Sequence, residues 1–104
     1  MGNTYIMLCR FTEKGIENIK ESPARVDAVK QAFKSTGGEV REFWLTLGRY
    51  DTVIIADAPD DETIAKLSLA ICSLGNVQIE TLRGFKESEY KKIISGIPSI
   101  KPVL

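Results

Sequence analysis

The sequence predicts an α+β fold in which one four-stranded antiparallel sheet carries its helices on one face. Stretches of strand length and segments of helical spacing follow one another as βαββαβ, a short C-terminal helix comes after them, and 104 residues suffice for one domain. The simplest arrangement that keeps both crossovers right-handed is the ferredoxin-like one. We therefore expect a single ferredoxin-like domain over residues 1–104, with a core at 4–95 and an extended tail at 96–104.

A strand and a helix open the chain. Residues 4–11 are mostly apolar and too few for a buried helix, which predicts the first strand. Ser22 as N-cap and Pro23 at the first helical position predict a helix over residues 24–36. Helical spacing turns one group of side chains toward the core and a charged group toward solvent. Val26, Val29 and Phe33 form the group that faces the core. Arg25, Lys30 and Lys34 form the group that faces solvent.

Two more strands follow in close succession. Residues 39–47 and 52–58 are rich in aromatic and β-branched side chains and have strand length. Only Gly48–Asp51 separates them, so they predict a hairpin. In this topology the first and third strands lie in the middle of the sheet, and the second and fourth lie at its edges.

A second helix and a fourth strand complete the order. Acidic residues at 60–62 suit the positive end of a helix that runs to Leu74, and Gly75 suits the left-handed position after it. Residues 76–84 alternate apolar and polar side chains, which is typical of an edge strand with a solvated face. Helical spacing returns from Phe85 and predicts the short C-terminal helix.

The central strands predict a homodimer. Both are apolar at consecutive positions, at 5–9 and 53–56, whereas a strand with one wet face would alternate. Two helices cover only one face, and monomers rarely expose apolar patches larger than a few hundred Å². We expect a second copy of the chain to cover the other face. The C-terminal segment and an apolar ligand are the alternatives.

Composition argues against several classes of function. The 14 basic and 14 acidic side chains balance, which disfavours nucleic acid and an anionic membrane surface as partners. The chain has no histidine, and Cys9 and Cys72 lie far apart, so we expect no His-based catalysis, no metal and no cofactor. Without an apolar run of membrane-spanning length or a signal peptide, we expect a cytoplasmic protein with reduced thiols.

Three stretches of the chain resemble the GYD domain family. They are TYIMLCRFTEKGIENIK at 4–20, LTLGRYDTVIIADAPDDE at 45–62 and SLGNVQIETLRGF at 73–85. The Gly, Tyr and Asp that give the family its name stand here as Gly48, Tyr50 and Asp51. The family is similar in architecture to the dimeric α/β-barrels, in which two ferredoxin-like sheets pack face to face. The resemblance thus implies the same homodimer and carries no particular reaction with it.

The hairpin turn holds the candidate catalytic residues. Arg49, Tyr50 and Asp51 would present a guanidinium, a phenol and a carboxylate to an anionic or carbonyl-bearing small molecule, and could move a proton. Turns also collect such residues for backbone reasons, since Gly48 permits a positive φ and Asp51 bonds to the turn. From the resemblance, a cofactor-free monooxygenase or isomerase that uses the three side chains is one hypothesis.

Four residues are candidates for ligand binding: Trp44, Thr12, Arg10 and Gly48. Trp44 shares a strand face with Glu42, and Arg10 is on the first strand, so they would line a cleft beside the hairpin that binds a small molecule. Thr12 lies in the loop after the first strand and would border the same cleft. Alternatively, Trp44 anchors the dimer interface. A purely structural interaction module would have no cleft.

Overall fold

The structure is a computed structural model, and it describes residues 2–102. Its strands are β1 (Asn3–Phe11), β2 (Glu39–Leu45), β3 (Thr52–Ala58) and β4 (Val77–Gly84). Its α-helices are α1 (Glu13–Glu17), α2 (Ser22–Ser35), α3 (Asp61–Ser73) and α4 (Glu87–Ser95), and a 3-10 helix spans Ile19–Glu21. The predicted tail has no regular secondary structure from 97 to 101, and its residues 103–104 lie outside the described part of the chain.

The four strands form one antiparallel sheet in the order β2-β3-β1-β4. β1 lies between β3 and β4, so that Ile6 has Ile55 on one side and Leu82 on the other. The prediction that the first and third strands are central is therefore confirmed, as are the α+β class and the short C-terminal helix.

The core lies between the sheet and the helices α2 and α3. Alternate side chains of β1 and β3 enter it, because successive side chains of a strand point to opposite faces. Burial raises the pKa of the Cys9 thiol, which keeps that thiol protonated at neutral pH. The buried apolar side chains are Tyr5, Met7, Cys9, Phe33, Ile54, Ala56, Ala58, Ile64 and Leu67.

The helix ends require two corrections to the predicted bounds. Ser22 is not an N-cap but the first residue of α2, with helical φ −55° and ψ −42°, because the 3-10 helix leads directly into α2. α3 ends at Ser73 rather than at Leu74, and the Leu74 side chain is 62% exposed. The acidic cap is confirmed: Asp60 accepts a hydrogen bond from the Thr63 N–H at 2.8 Å. Gly75 has the left-handed φ of +83° that its position predicts.

The C-terminal helix α4 stands away from the core. None of its side chains is buried. The described chain extends over 56 × 30 × 21 Å with a radius of gyration of 16.6 Å, against about 13 Å for a compact domain of this length. The exposed apolar side chains of this segment include Tyr90, Ile93, Ile94 and Ile97.

Candidate functional site

The sheet face opposite the core is the first candidate surface. Its centre consists of four apolar side chains from β1 and β3 that alternate with the buried core residues and are only partly buried. An exposed side chain from each edge strand extends this apolar area, Trp44 on β2 and Leu82 on β4. We call this surface the open face; its central side chains are Ile6, Leu8, Val53 and Ile55.

A polar cluster stands at one end of the open face. The Arg10 guanidinium lies 5.0 Å from the centre of the Tyr50 ring, and its Nε donates to the carbonyl oxygen of Arg49 at 3.1 Å. The Tyr50 hydroxyl donates to Oε1 of Glu80 at 2.6 Å. This hydrogen bond to an anion raises the pKa of Tyr50, so the phenol is a proton donor at neutral pH. Arg10, Tyr50 and Glu80 together form what we call the hairpin cluster.

Asp51 fastens the hairpin to β1. Its Oδ2 accepts a hydrogen bond from the Phe11 N–H at 2.8 Å, and its own N–H donates to the carbonyl oxygen of Cys9 at 2.8 Å. Its carbonyl oxygen accepts from the Thr46 N–H at 2.8 Å. These contacts hold the loop against the end of the first strand and engage the carboxylate with the backbone. They support the turn interpretation of this residue.

Three other predicted residues lie near the same hairpin and loops. Gly48 has φ +124°, the left-handed region that favours glycine, and its surroundings are open. Arg49 is exposed. Thr12 is the N-cap of α1: its hydroxyl accepts from the Gly15 N–H at 3.1 Å and donates to the Gly75 carbonyl oxygen at 2.5 Å. The hydroxyl of Thr12 therefore joins α1 to the loop before β4.

Trp44 flanks the open face from the edge strand. Its register partner is Val53, and its indole Nε1 donates to Oε1 of Glu42 at 2.9 Å. Trp44 is 57% exposed, so its side chain is available to a ligand or to a second protein surface. Trp44 was interpreted either as an anchor of the dimer interface or as the wall of a ligand cleft. Both interpretations place it on this side of the sheet.

Sequence reasoning missed two polar groups. Glu80 was not recognised as the partner of the hairpin tyrosine, although the alternation of β4 turns it toward the open face. A second network lies on the helix side: the Tyr5 hydroxyl donates to Asp61 at 2.5 Å, and Arg83 donates to Asn3 at 2.9 Å. Burial and the bond to Asp61 raise the pKa of Tyr5. These partners are 56 and 80 positions apart, so no local pattern reveals them.

Residues 2–102 contain neither a candidate metal site nor a membrane-spanning helix. Within this range, no three His, Cys, Asp or Glu side chains are grouped so that they could hold a metal ion. No helix of the same range is both long and apolar enough to cross a membrane.

Asp51→Ala should lower the free energy of unfolding by about 1–3 kcal/mol, because the Phe11 N–H loses its acceptor. Asp51→Asn retains a side-chain oxygen and should lose less than half as much. Urea unfolding followed by circular dichroism measures both variants, with Glu13→Ala, an exposed carboxylate, as the control. An Asp51→Ala midpoint equal to the wild-type value would contradict the fastening role.

Comparisons with known proteins agree with this architecture. The GYD domain profile matches residues 5–94 of the chain. A relative from Thermus thermophilus is described as a glutamine synthetase and cystathionine beta-lyase binding protein. It is 34% identical over 80 residues, which cover 76% of this chain and 84% of the relative. No solved structure is a significant match. The chain therefore belongs to the GYD domain family.

Proposed function

We propose that this protein is a homodimeric interaction protein whose copies pair through the open face. The observation that carries the proposal is the apolar centre of that face, on two central strands that would otherwise present it to water. Stable interfaces have such an apolar centre and a polar rim. Here the rim contains Arg10 and Glu80 at one end and Asp57, which is paired with Arg41, at the other.

A second copy is the occupant that fits this surface. A two-fold interface brings the same patch of both chains together, so the patch must complement itself. An apolar centre satisfies this condition, and charges of both signs on the rim allow unlike charges to meet. The family resemblance to face-to-face sheets supports the same arrangement.

In such a pair, the hairpin cluster would border the space between the two sheets. A guanidinium, a phenol and a carboxylate near an indole suit a small anionic or polar aromatic molecule, because ligand sites combine apolar walls with a few polar groups. A small molecule bound beside Gly48–Asp51 is therefore part of the proposal.

Native mass spectrometry of freshly purified protein tests both parts. A dimer that retains extra mass is the expected result and identifies the molecule to assay. A bare dimer would support pairing and contradict the bound ligand, whereas a bare monomer at micromolar concentration would contradict the pairing itself.

We further infer that the dimer binds an enzyme of the glutamine synthetase or cystathionine β-lyase kind, because the Thermus relative is described as binding both. We assign α4 and the residues after it as the contact surface. Tyr90, Ile93 and Ile94 have the i, i+3, i+4 spacing with which an amphipathic helix enters an apolar groove, and Ile97 follows just beyond the end of the helix. All four side chains are exposed, and no core contact competes for them.

Ile93→Glu should weaken enzyme binding at least about 30-fold, because it places a charge in the middle of the apolar stripe. Ser88→Glu, on the opposite side of the same helix, is the matched control and should bind as the wild type does. Biolayer interferometry with the two purified enzymes from the source organism measures the affinity, and sedimentation velocity checks that the dimer persists. Equal binding by Ile93→Glu and wild type would exclude α4, and no binding by wild type would contradict the enzyme partner.

A second candidate function is cofactor-free catalysis at the hairpin cluster. The observation that favours it is the 2.6 Å hydrogen bond between the Tyr50 hydroxyl and Glu80, beside the Arg10 guanidinium. In this proposal Glu80 accepts a proton from one atom of the substrate and the Tyr50 hydroxyl donates its proton to another, as in an isomerisation. The proton on Glu80 then returns to Tyr50 across their hydrogen bond, while Asp51 holds the loop. Turnover of the co-purified molecule by wild type, lost in Tyr50→Phe, would support catalysis over simple binding.

A further inference from the structure

A cavity of about 220 Å³ lies between α2 and the sheet, on the side opposite the open face. Its walls come from the inner side of α2, the C-terminal part of α3 and all four strands, and they are almost entirely apolar. No Asp or Glu of residues 2–102 lines it. The principal apolar side chains in its wall are Phe11, Val26, Val29, Phe43, Ile71 and Ile79.

Arg25 lines this apolar cavity and has an incomplete set of hydrogen bonds. Its Nη1 donates to the carbonyl oxygen of Asn18 at 3.0 Å. Its Nη2 is fully buried and has no acceptor, which is true of no other buried side-chain nitrogen or oxygen among the described residues. The prediction that this arginine faces solvent is therefore wrong. Its side chain leans back toward the N-terminal end of α2, as helical side chains do, and meets the carbonyl of Asn18 there.

A buried guanidinium nitrogen without an acceptor is costly, because it has lost water and gained nothing in return. The arrangement is stable when an acceptor enters the cavity. No carboxylate of the described chain lies in the wall, so the acceptor is either a bound molecule or a water molecule. An apolar wall that also contains the cationic side chains of Arg25 and Lys30 favours a molecule with one anionic end and an apolar body.

We propose that this cavity binds a small monocarboxylate with an apolar body, and that Nη2 of Arg25 donates to its carboxylate. Cavities of about 150 Å³ hold benzene, so the larger volume here has room for a body of roughly eight carbon atoms. The site is separate from the hairpin cluster and does not depend on pairing through the open face. A water molecule is the competing acceptor, and the test has to distinguish the two.

The test uses octanoate and octan-1-ol, which share an apolar chain and differ in the anionic end. Isothermal titration calorimetry of the full chain should show octanoate binding at least about tenfold more tightly than octan-1-ol, because charge-assisted hydrogen bonds are the stronger ones. Arg25→Met should lose at least tenfold in octanoate affinity and leave octan-1-ol affinity unchanged. Lys34→Met, on the same helix but outside the cavity, is the control and should bind both as wild type does.

Two further variants keep the result interpretable. Val29→Phe fills the cavity and should weaken both ligands. Arg25→Lys retains a cation and should keep part of the preference for octanoate. Because Arg25→Met removes an unpaired buried nitrogen, its melting temperature without ligand should equal or exceed that of wild type. Equal octanoate affinity in wild type and Arg25→Met, equal binding of the two ligands by wild type, or no octanoate binding at millimolar concentration would each overturn the proposal.

Discussion

Leu8→Glu should convert the proposed dimer into folded monomers. Leu8 lies at the centre of the open face, opposite Val53 on β3 and Glu80 on β4. In a face-to-face pair, the new carboxylate of each copy would be buried against apolar side chains, and burying an unpaired charge costs several kcal/mol. In the monomer the same carboxylate faces water. We expect the dissociation constant to rise at least about a thousandfold, which corresponds to about 4 kcal/mol.

Sedimentation velocity at micromolar concentration measures this change, and circular dichroism confirms that the variant is folded. Ile55→Glu, on the neighbouring central strand, should behave in the same way. Leu69→Glu is the matched control, because Leu69 is 71% exposed on α3, away from the open face. A folded Leu8→Glu variant that sediments as wild type does would locate the interface elsewhere.

Gly15→Ala should destabilise the fold by about 3 kcal/mol, near the upper end of the usual cost of overpacking. A Cβ at this position would overlap the carbonyl oxygen of Asn76, a backbone atom that cannot rotate away. α1 would have to move from the loop before β4 and lose the hydrogen bonds that Thr12 makes there. For a domain of this size, the melting temperature should fall by roughly 12–24 °C.

The sign of this change is diagnostic, because alanine normally stabilises a helix by about 1 kcal/mol relative to glycine. Gly96→Ala is the matched control: its Cβ would lie 3.6 Å from the Lys92 carbonyl oxygen, an ordinary contact, and the effect should stay within about 0.5 kcal/mol. Calorimetry measures both melting temperatures. A neutral or stabilised Gly15→Ala variant would contradict the close packing of α1 on this loop.

Local patterns were sufficient to predict the fold. β3 could be predicted from its β-branched side chains and its length, and the structure places it over Thr52–Ala58. Right-handed crossovers then restrict the topology. The glycine at 75 and the acidic cap at 60 are likewise local signals, since a turn or a helix end needs only its nearest neighbours.

The candidate site was only partly predictable, because its contacts join distant positions. Tyr50 and Asp51 are adjacent in sequence, yet their side-chain partners, Glu80 and the Phe11 N–H, are 30 and 40 positions away. Helical spacing gives the direction of a Cα–Cβ bond but not the course of a long side chain, so Arg25 was assigned to solvent. The volume of the cavity between α2 and the sheet depends on how far the helix lies from the sheet. The spacing of apolar residues in the sequence does not specify that distance.

The separation of α4 from the core affects how tightly α4 can bind a protein partner. A helix of nine residues is too short to be stable alone in water. None of the α4 side chains is buried, and its stabilising contacts include its own capping bond and a Glu87–Lys91 ion pair at 3.7 Å. Its opening therefore costs little and leaves the sheet intact. A partner that recognises the folded helix binds only the fraction of molecules in which α4 is folded. Its apparent affinity is reduced in proportion to that fraction.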